Sequence, residues 1–167
     1  FYSKLGRTMH TVIRHSNTYG PFDKYDFDHS HFFGATIRKV MDAKDGDTIT
    51  VWGTGEETAR DLLYVWDVCN FIELAIEQQA DPYELVNVGA GKAYTVKQVV
   101  EIMVTLSGKD LKIAYDSSKP VIPTKLSLDS TKAKHLFDWE PLVPLEEGIQ
   151  ETFDWYKEYY AKDGYGH

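Results

Sequence analysis

The 167-residue chain has a single cysteine, Cys69, so it cannot close an internal disulfide, and a reducing cytoplasm is the expected setting. Long apolar runs are missing: nothing approaches the roughly 20 residues that cross a bilayer, so no membrane partner is expected. Positive charge is scarce. Eighteen Lys and Arg face 26 Asp and Glu, for a net charge of −8. General nucleic-acid binding needs a basic face and is therefore not expected. A small anionic ligand is still allowed, because a few local Lys and Arg residues can outvote the mean charge. Repeats, linkers and low-complexity stretches are absent too.

A phosphate-cradling glycine loop is also lacking. Gly89-Ala90-Gly91-Lys92 follows a predicted strand and precedes a predicted helix, the right context for such a loop. Yet the sixth position of G-x-G-x-x-G is Tyr94. A Walker loop would need glycine at Val86 and a hydroxyl at Ala93. Both fingerprints fail, and the segment reads as a connecting turn. Gly53-Thr54-Gly55 leads into a strand rather than a helix and is also a turn.

What is present suits one domain over residues 1–167, with 43% hydrophobic residues, enough to bury a core. His10–Ser16 is short and β-branched and reads as a buried strand. Residues 17–31 read as loop. Phe33, Ile37, Val40 and Met41 fall at helical spacing and predict a helix over Phe32–Ala43. Strands follow at Thr48–Trp52 and Ala59–Val65, a helix at Val68–Gln79 and a strand at Glu84–Gly89. Thr95 and Gln98 form a capping box for the next helix, which Ser107-Gly108 closes. A strand over 111–116, a Pro-bearing loop over 118–125, a short helix over 127–137 behind an Asp or Ser cap, and an amphipathic helix over 145–160 complete the chain. Strands alternating with helices predict an α/β layer structure.

Five collinear segments carry a family resemblance. Arg14, Asn17 and Tyr19-Gly20-Pro21 in IRHSNTYGP match R-x-x-N-x-Y-G-P. HSHFFGATIRKV, with Gly34 where proline is usual, VWGTGEETARDLLYVWDV, SKPVIPTKLSLDSTKAK and FDWEPLVPLEEGIQETFDWY continue the match almost to the C-terminus. The chain resembles the C-terminal half of extended short-chain dehydrogenases, the NAD(P)-dependent nucleotide-sugar epimerases and dehydratases. Trp52 and His31 lean toward GDP-L-fucose synthase-like members. The resemblance implies the last strands of a Rossmann-type sheet plus the small substrate-binding α/β domain. It also implies NAD or NADP in an intact family enzyme, with the cofactor loop and the Tyr-x-x-x-Lys pair upstream. Ser3-Lys4 does not supply that pair. Six residues separate Lys4 from Thr11 in the strand, and at about 1.5 Å per residue they hold no catalytic helix. Leu5-Gly6 reads as a glycine-capped helix end.

The resemblance also assigns roles. Arg60 implies a diphosphate grip, beside the plain alternative of a surface pair with Asp61. Asn17 implies a substrate contact, or else caps its turn. Lys39 and Lys125 align with basic residues near the nucleotide, Lys39 otherwise being a solvated helix lysine. Trp52 offers a stacking face or else belongs to the core. Asp67 reads as the cap of the helix after it. Asp26, Asp28, His29 and His31 crowd one loop without a zinc spacing, so no metal is expected. His31 implies an acid for epimerisation beside a keto group, a role that requires a partner cysteine and cofactor from the other half. The expectation is a nucleotide-diphosphate-sugar-binding part that binds no cofactor and is not catalytically competent alone. The alternative is a stand-alone binding or structural module. With the outer strands' edges uncovered, either the missing half, self-association as a homo-oligomer or a rearranged sheet is expected.

Overall fold

Seven consecutive residues, Thr58–Tyr64, form the strand around which the site is built. The computed structural model describes residues 2–6 and 8–161. In chain order the strands are β1 (His10–His15), β2 (Asn17–Tyr19), β3 (Thr48–Trp52), β4 (Thr58–Tyr64), β5 (Tyr83–Val88), β6 (Ala93–Thr95), β7 (Lys112–Asp116) and β8 (Thr124–Leu126). The helices are α1 (Phe32–Asp42), α2 (Val65–Gln78), α3 (Val96–Ser107), α4 (Thr131–Phe137) and α5 (Leu145–Trp155). A π-helical turn, Tyr156–Tyr160, extends α5. The α/β expectation holds.

Strand β4 has three partners. Parallel β2 lies along Leu62–Tyr64, antiparallel β6 along Ala59–Asp61, and parallel β8 along Thr58–Arg60. β1 pairs with β5, and β3 with β7, both parallel. The expected strands His10–Ser16 and Glu84–Gly89 thus stay paired and parallel, and the sheet is not rearranged there. Among the described residues β1 has β5 as its one strand neighbour.

Two apolar clusters hold the layers together. Tyr19, Ile37, Val100, Met103, Ile149 and Phe153 pack where α1, α3 and α5 meet. Leu63, Phe71, Val86, Phe137 and Trp139 join α2 and α4 to β5. The amphipathic faces predicted for α1 and α3 are the buried ones. The Thr95–Gln98 capping box is present, with Gly108 left-handed at the far end of α3. Lys109 closes α1 from outside, donating from Nζ to the carbonyls of Val40, Met41 and Ala43 at 2.6–2.9 Å.

Several boundaries differ from expectation. Asn17–Tyr19 and Thr124–Leu126, expected as loops, are three-residue strands, and Ala93–Thr95 is a third. Segments this short carry no legible period; pairing with β4 makes them strands. Helix α2 begins at Val65 rather than Val68, directly off β4, with Tyr64 extended at its N-cap. Asp67 therefore lies inside the first turn and does not cap the helix. Its buried carboxylate instead accepts the amides of Leu142 (2.9 Å) and Val143 (3.3 Å), tying α2 to the segment before α5. Tyr2–Leu5 is a 3-10 turn ending at Gly6 (φ +65°), with Lys4 exposed, as the glycine-capped end predicts.

Candidate nucleotide-sugar site

Two cavities adjoin β4. The larger, about 630 Å³, is walled by Ser16, Asn17, Asp23, His31, Arg60 and neighbours. The smaller, about 580 Å³, is walled by Phe27, Lys39, Thr50, Trp52, Ile122 and neighbours. Phe32 and Arg60 belong to both walls. A long ligand with a charged middle would therefore place that middle at Arg60.

Each side chain reaches this place through its element. Strand alternation sends Arg60 and Asp61 to opposite faces. Among the described residues the Arg60 guanidinium has no carboxylate partner, so it is not the surface ion pair that R-D suggests. The Asp61 carboxylate is buried, 1% exposed, and accepts three backbone amides: Ala90 at 2.9 Å, Gly91 at 3.1 Å and Leu128 at 2.9 Å. Asn17 opens β2 and donates from Nδ2 to the Asp61 carbonyl at 3.2 Å, a cross-strand bond rather than a turn cap. Lys39, on α1, donates to the Thr50 carbonyl at 3.0 Å, and burial holds its ammonium below its ordinary pKa. Trp52 ends β3 and is 55% exposed, so it is not a core tryptophan; the Lys119 ammonium sits 5.9 Å from its ring centroid. A half-open indole facing a cavity can stack on a flat ring.

His31 occupies the N-cap of α1 but its side chain makes no capping bond, which leaves the imidazole available at the larger cavity. Asp23, in the same wall, is pushed above its ordinary pKa by burial, while its bond to the Lys24 amide and the nearby His31 pull the other way. Asp26 serves a local turn: it accepts the amides of Asp28 and His29 and pairs with the His29 ring at 2.8 Å. Among the described residues no group of three His, Cys, Asp or Glu lies close enough to hold a metal ion.

The family model described as NAD dependent epimerase/dehydratase matches residues 2–89, just over half of the chain. The chain belongs to the NAD dependent epimerase/dehydratase family. It is 36% identical over 145 residues to a probable GDP-L-fucose synthase 1 of Oryza sativa subsp. japonica, covering 86% of this chain and 43% of that protein. Among solved structures it is similar to the UDP-glucose 4-epimerase of Thermotoga maritima determined with UDP-glucose, with a TM-score of 0.77, 30% identity, and coverage of 89% of this chain and 46% of that one. It is also similar to the dTDP-glucose 4,6-dehydratase of Bacillus anthracis in complex with NAD, with a TM-score of 0.72, 28% identity, and coverage of 91% and 46%. The chain thus spans less than half the length of these relatives.

The Gly89–Gly91 loop does not fit a dinucleotide. The Gly89 amide is taken by the Ser130 hydroxyl, and those of Ala90 and Gly91 by Asp61. None of these three amides is free to cradle a pyrophosphate, and the loop leads into β6 rather than a helix. The Gly53–Gly55 segment is a turn between β3 and β4. Lys125 is the one aligned residue in neither cavity wall: it is exposed on β8 opposite Ala59, while Leu126 and Ile122 flank it in the two walls. Sequence reasoning did not single out Asp61 or Asp23. An acid directly after an arginine in a strand was a usable signal for Asp61; for Asp23, among many acids in a loop, there was none.

Proposed function

We propose that this chain is the nucleotide-sugar-binding portion of an NAD(P)-dependent epimerase/reductase, with GDP-L-fucose synthase-like chemistry favoured. What carries the reading is the pair of cavities joined at Arg60. Trp52 and Phe32 flank the base, Arg60 grips the diphosphate, and Asn17 and His31 meet the sugar. Lys39 adds positive charge, while Lys125, exposed on β8 outside both cavity walls, takes no part. His31 moves a proton at the carbon beside a keto group. NAD or NADP supplies hydride chemistry in the intact family enzyme, and the glycine loop of this chain does not hold it. The chain alone is therefore inferred to bind a nucleotide-diphosphate sugar and to turn nothing over.

Isothermal titration with GDP-mannose and UDP-glucose tests the reading. Arg60→Ala removes a charged, bidentate contact worth about 1.5–3 kcal/mol, so the dissociation constant of the tighter ligand rises roughly 10- to 100-fold. Equal affinity of the two proteins removes Arg60 from the site. Turnover of nucleotide sugar with added NAD(P)H overturns the assignment of the redox machinery to another segment.

A further inference from the structure

Buried polar groups in this protein are satisfied almost everywhere. Thr36 donates to Phe32, Thr152 to Gly148 and Tyr25 to Gly20, each to a backbone carbonyl. Asp61 and Asp67 accept backbone amides, and Glu84 pairs with Lys132. Among the described residues two buried side-chain atoms have no partner, Ser16 Oγ and Ser30 Oγ. Neither is in the middle of a core. Ser16, 9% exposed, belongs to the wall of the larger cavity, and Ser30 to the wall of the smaller. Orphaned buried polar groups are rare in folded proteins, so two exceptions, one in each adjoining cavity, call for a common cause.

We propose that the Ser16 and Ser30 hydroxyls are ligand-positioning groups, Ser16 for the sugar and Ser30 for the nucleoside. This rests on the nucleotide-sugar reading above. A serine hydroxyl donates one hydrogen bond and accepts others, and it can be redirected by a staggered step about χ1. Both kinds of partner are present on a hexose and on a ribose or base edge. Ser16 directly precedes Asn17 and shares a cavity with His31; Ser30 shares its cavity with Trp52 and Phe27. The free protein therefore carries two desolvated hydroxyls whose hydrogen bonds form only when ligand arrives.

That arrangement has an opposite-sign signature that a structural serine lacks. In Ser16→Ala and Ser30→Ala the ligand-free protein melts at or above the wild-type temperature, by up to about 2–4 °C, because an unpaired buried hydroxyl has been deleted. Titrated with GDP-mannose, each variant binds roughly three- to tenfold more weakly. Titrated with GDP, which has no sugar, Ser30→Ala keeps its loss and Ser16→Ala binds like wild type. Unchanged GDP-mannose affinity in both variants overturns the proposal, as does a lowered melting temperature, which would mean that the hydroxyls are paired within the protein. Wild-type protein binding neither GDP-mannose nor UDP-glucose instead overturns the nucleotide-sugar reading itself, and this proposal with it.

Discussion

Asp61 is the residue whose loss should cost most outside the apolar core. Its carboxylate gathers the amides of Ala90, Gly91 and Leu128 from two separate segments onto β4. Removing it as Asp61→Ala leaves three N–H groups facing the space of a deleted side chain. Each unpaired buried amide costs about 1–3 kcal/mol. With water reaching part of the gap, the total is about 3–5 kcal/mol, a large share of the roughly 5–15 kcal/mol that holds a domain folded. Asp61→Asn keeps one acceptor oxygen but turns an NH2 toward an amide, so about half that loss is expected. Urea unfolding monitored by tryptophan fluorescence measures both, with unchanged m-values marking a stability effect alone. In thermal melts the alanine variant falls by about 10–15 °C, from roughly 2–4 °C per kcal/mol at this size. A loss below about 1 kcal/mol for Asp61→Ala would refute the idea that this carboxylate staples the two segments to the strand.

Asp23 makes a pH-dependent prediction. Burial raises its folded-state pKa above the ordinary 3.8, so the folded protein holds this proton more tightly than the unfolded chain. Its contribution is most favourable below pH 3.8 and is lost as pH rises through the folded value. Asp23→Asn, which keeps the oxygen that accepts the Lys24 amide, should therefore be more stable than wild type at pH 7. The advantage should vanish in melts near pH 3.5, and a constant difference across pH would contradict it. At Gly34 an added Cβ would lie 2.4 Å from the Lys24 carbonyl oxygen, a backbone atom that cannot swing aside. Gly34→Ala should cost about 1–3 kcal/mol by overpacking, read from the urea midpoint; an unchanged midpoint would show that α1 shifts freely.

The sequence made α1, α3, α5 and the longer strands legible because their signals are local: helical spacing, a capping box, β-branched runs between turns. The same holds for much of the site. Asn17, His31, Lys39, Trp52 and Arg60 sit in short motifs whose spacing survives translation into geometry, and all five line the two cavities. What escaped was set at a distance. β6 and β8 are three residues each and exist only because β4 supplies their hydrogen bonds from about 35 and 66 positions earlier. Asp67 looked like a helix cap because an acid near a helix start usually is one, yet its partners are at 142 and 143. The R-D pair shows the difficulty most clearly. Read along the chain, Arg60 and Asp61 are a cation beside an anion and should neutralise each other. Read in a strand, they leave on opposite faces, and the acid's charge is spent on three amides. That arrangement leaves the guanidinium without an internal counter-ion in the described structure, and the proposed diphosphate grip rests on a cation so placed between two cavities.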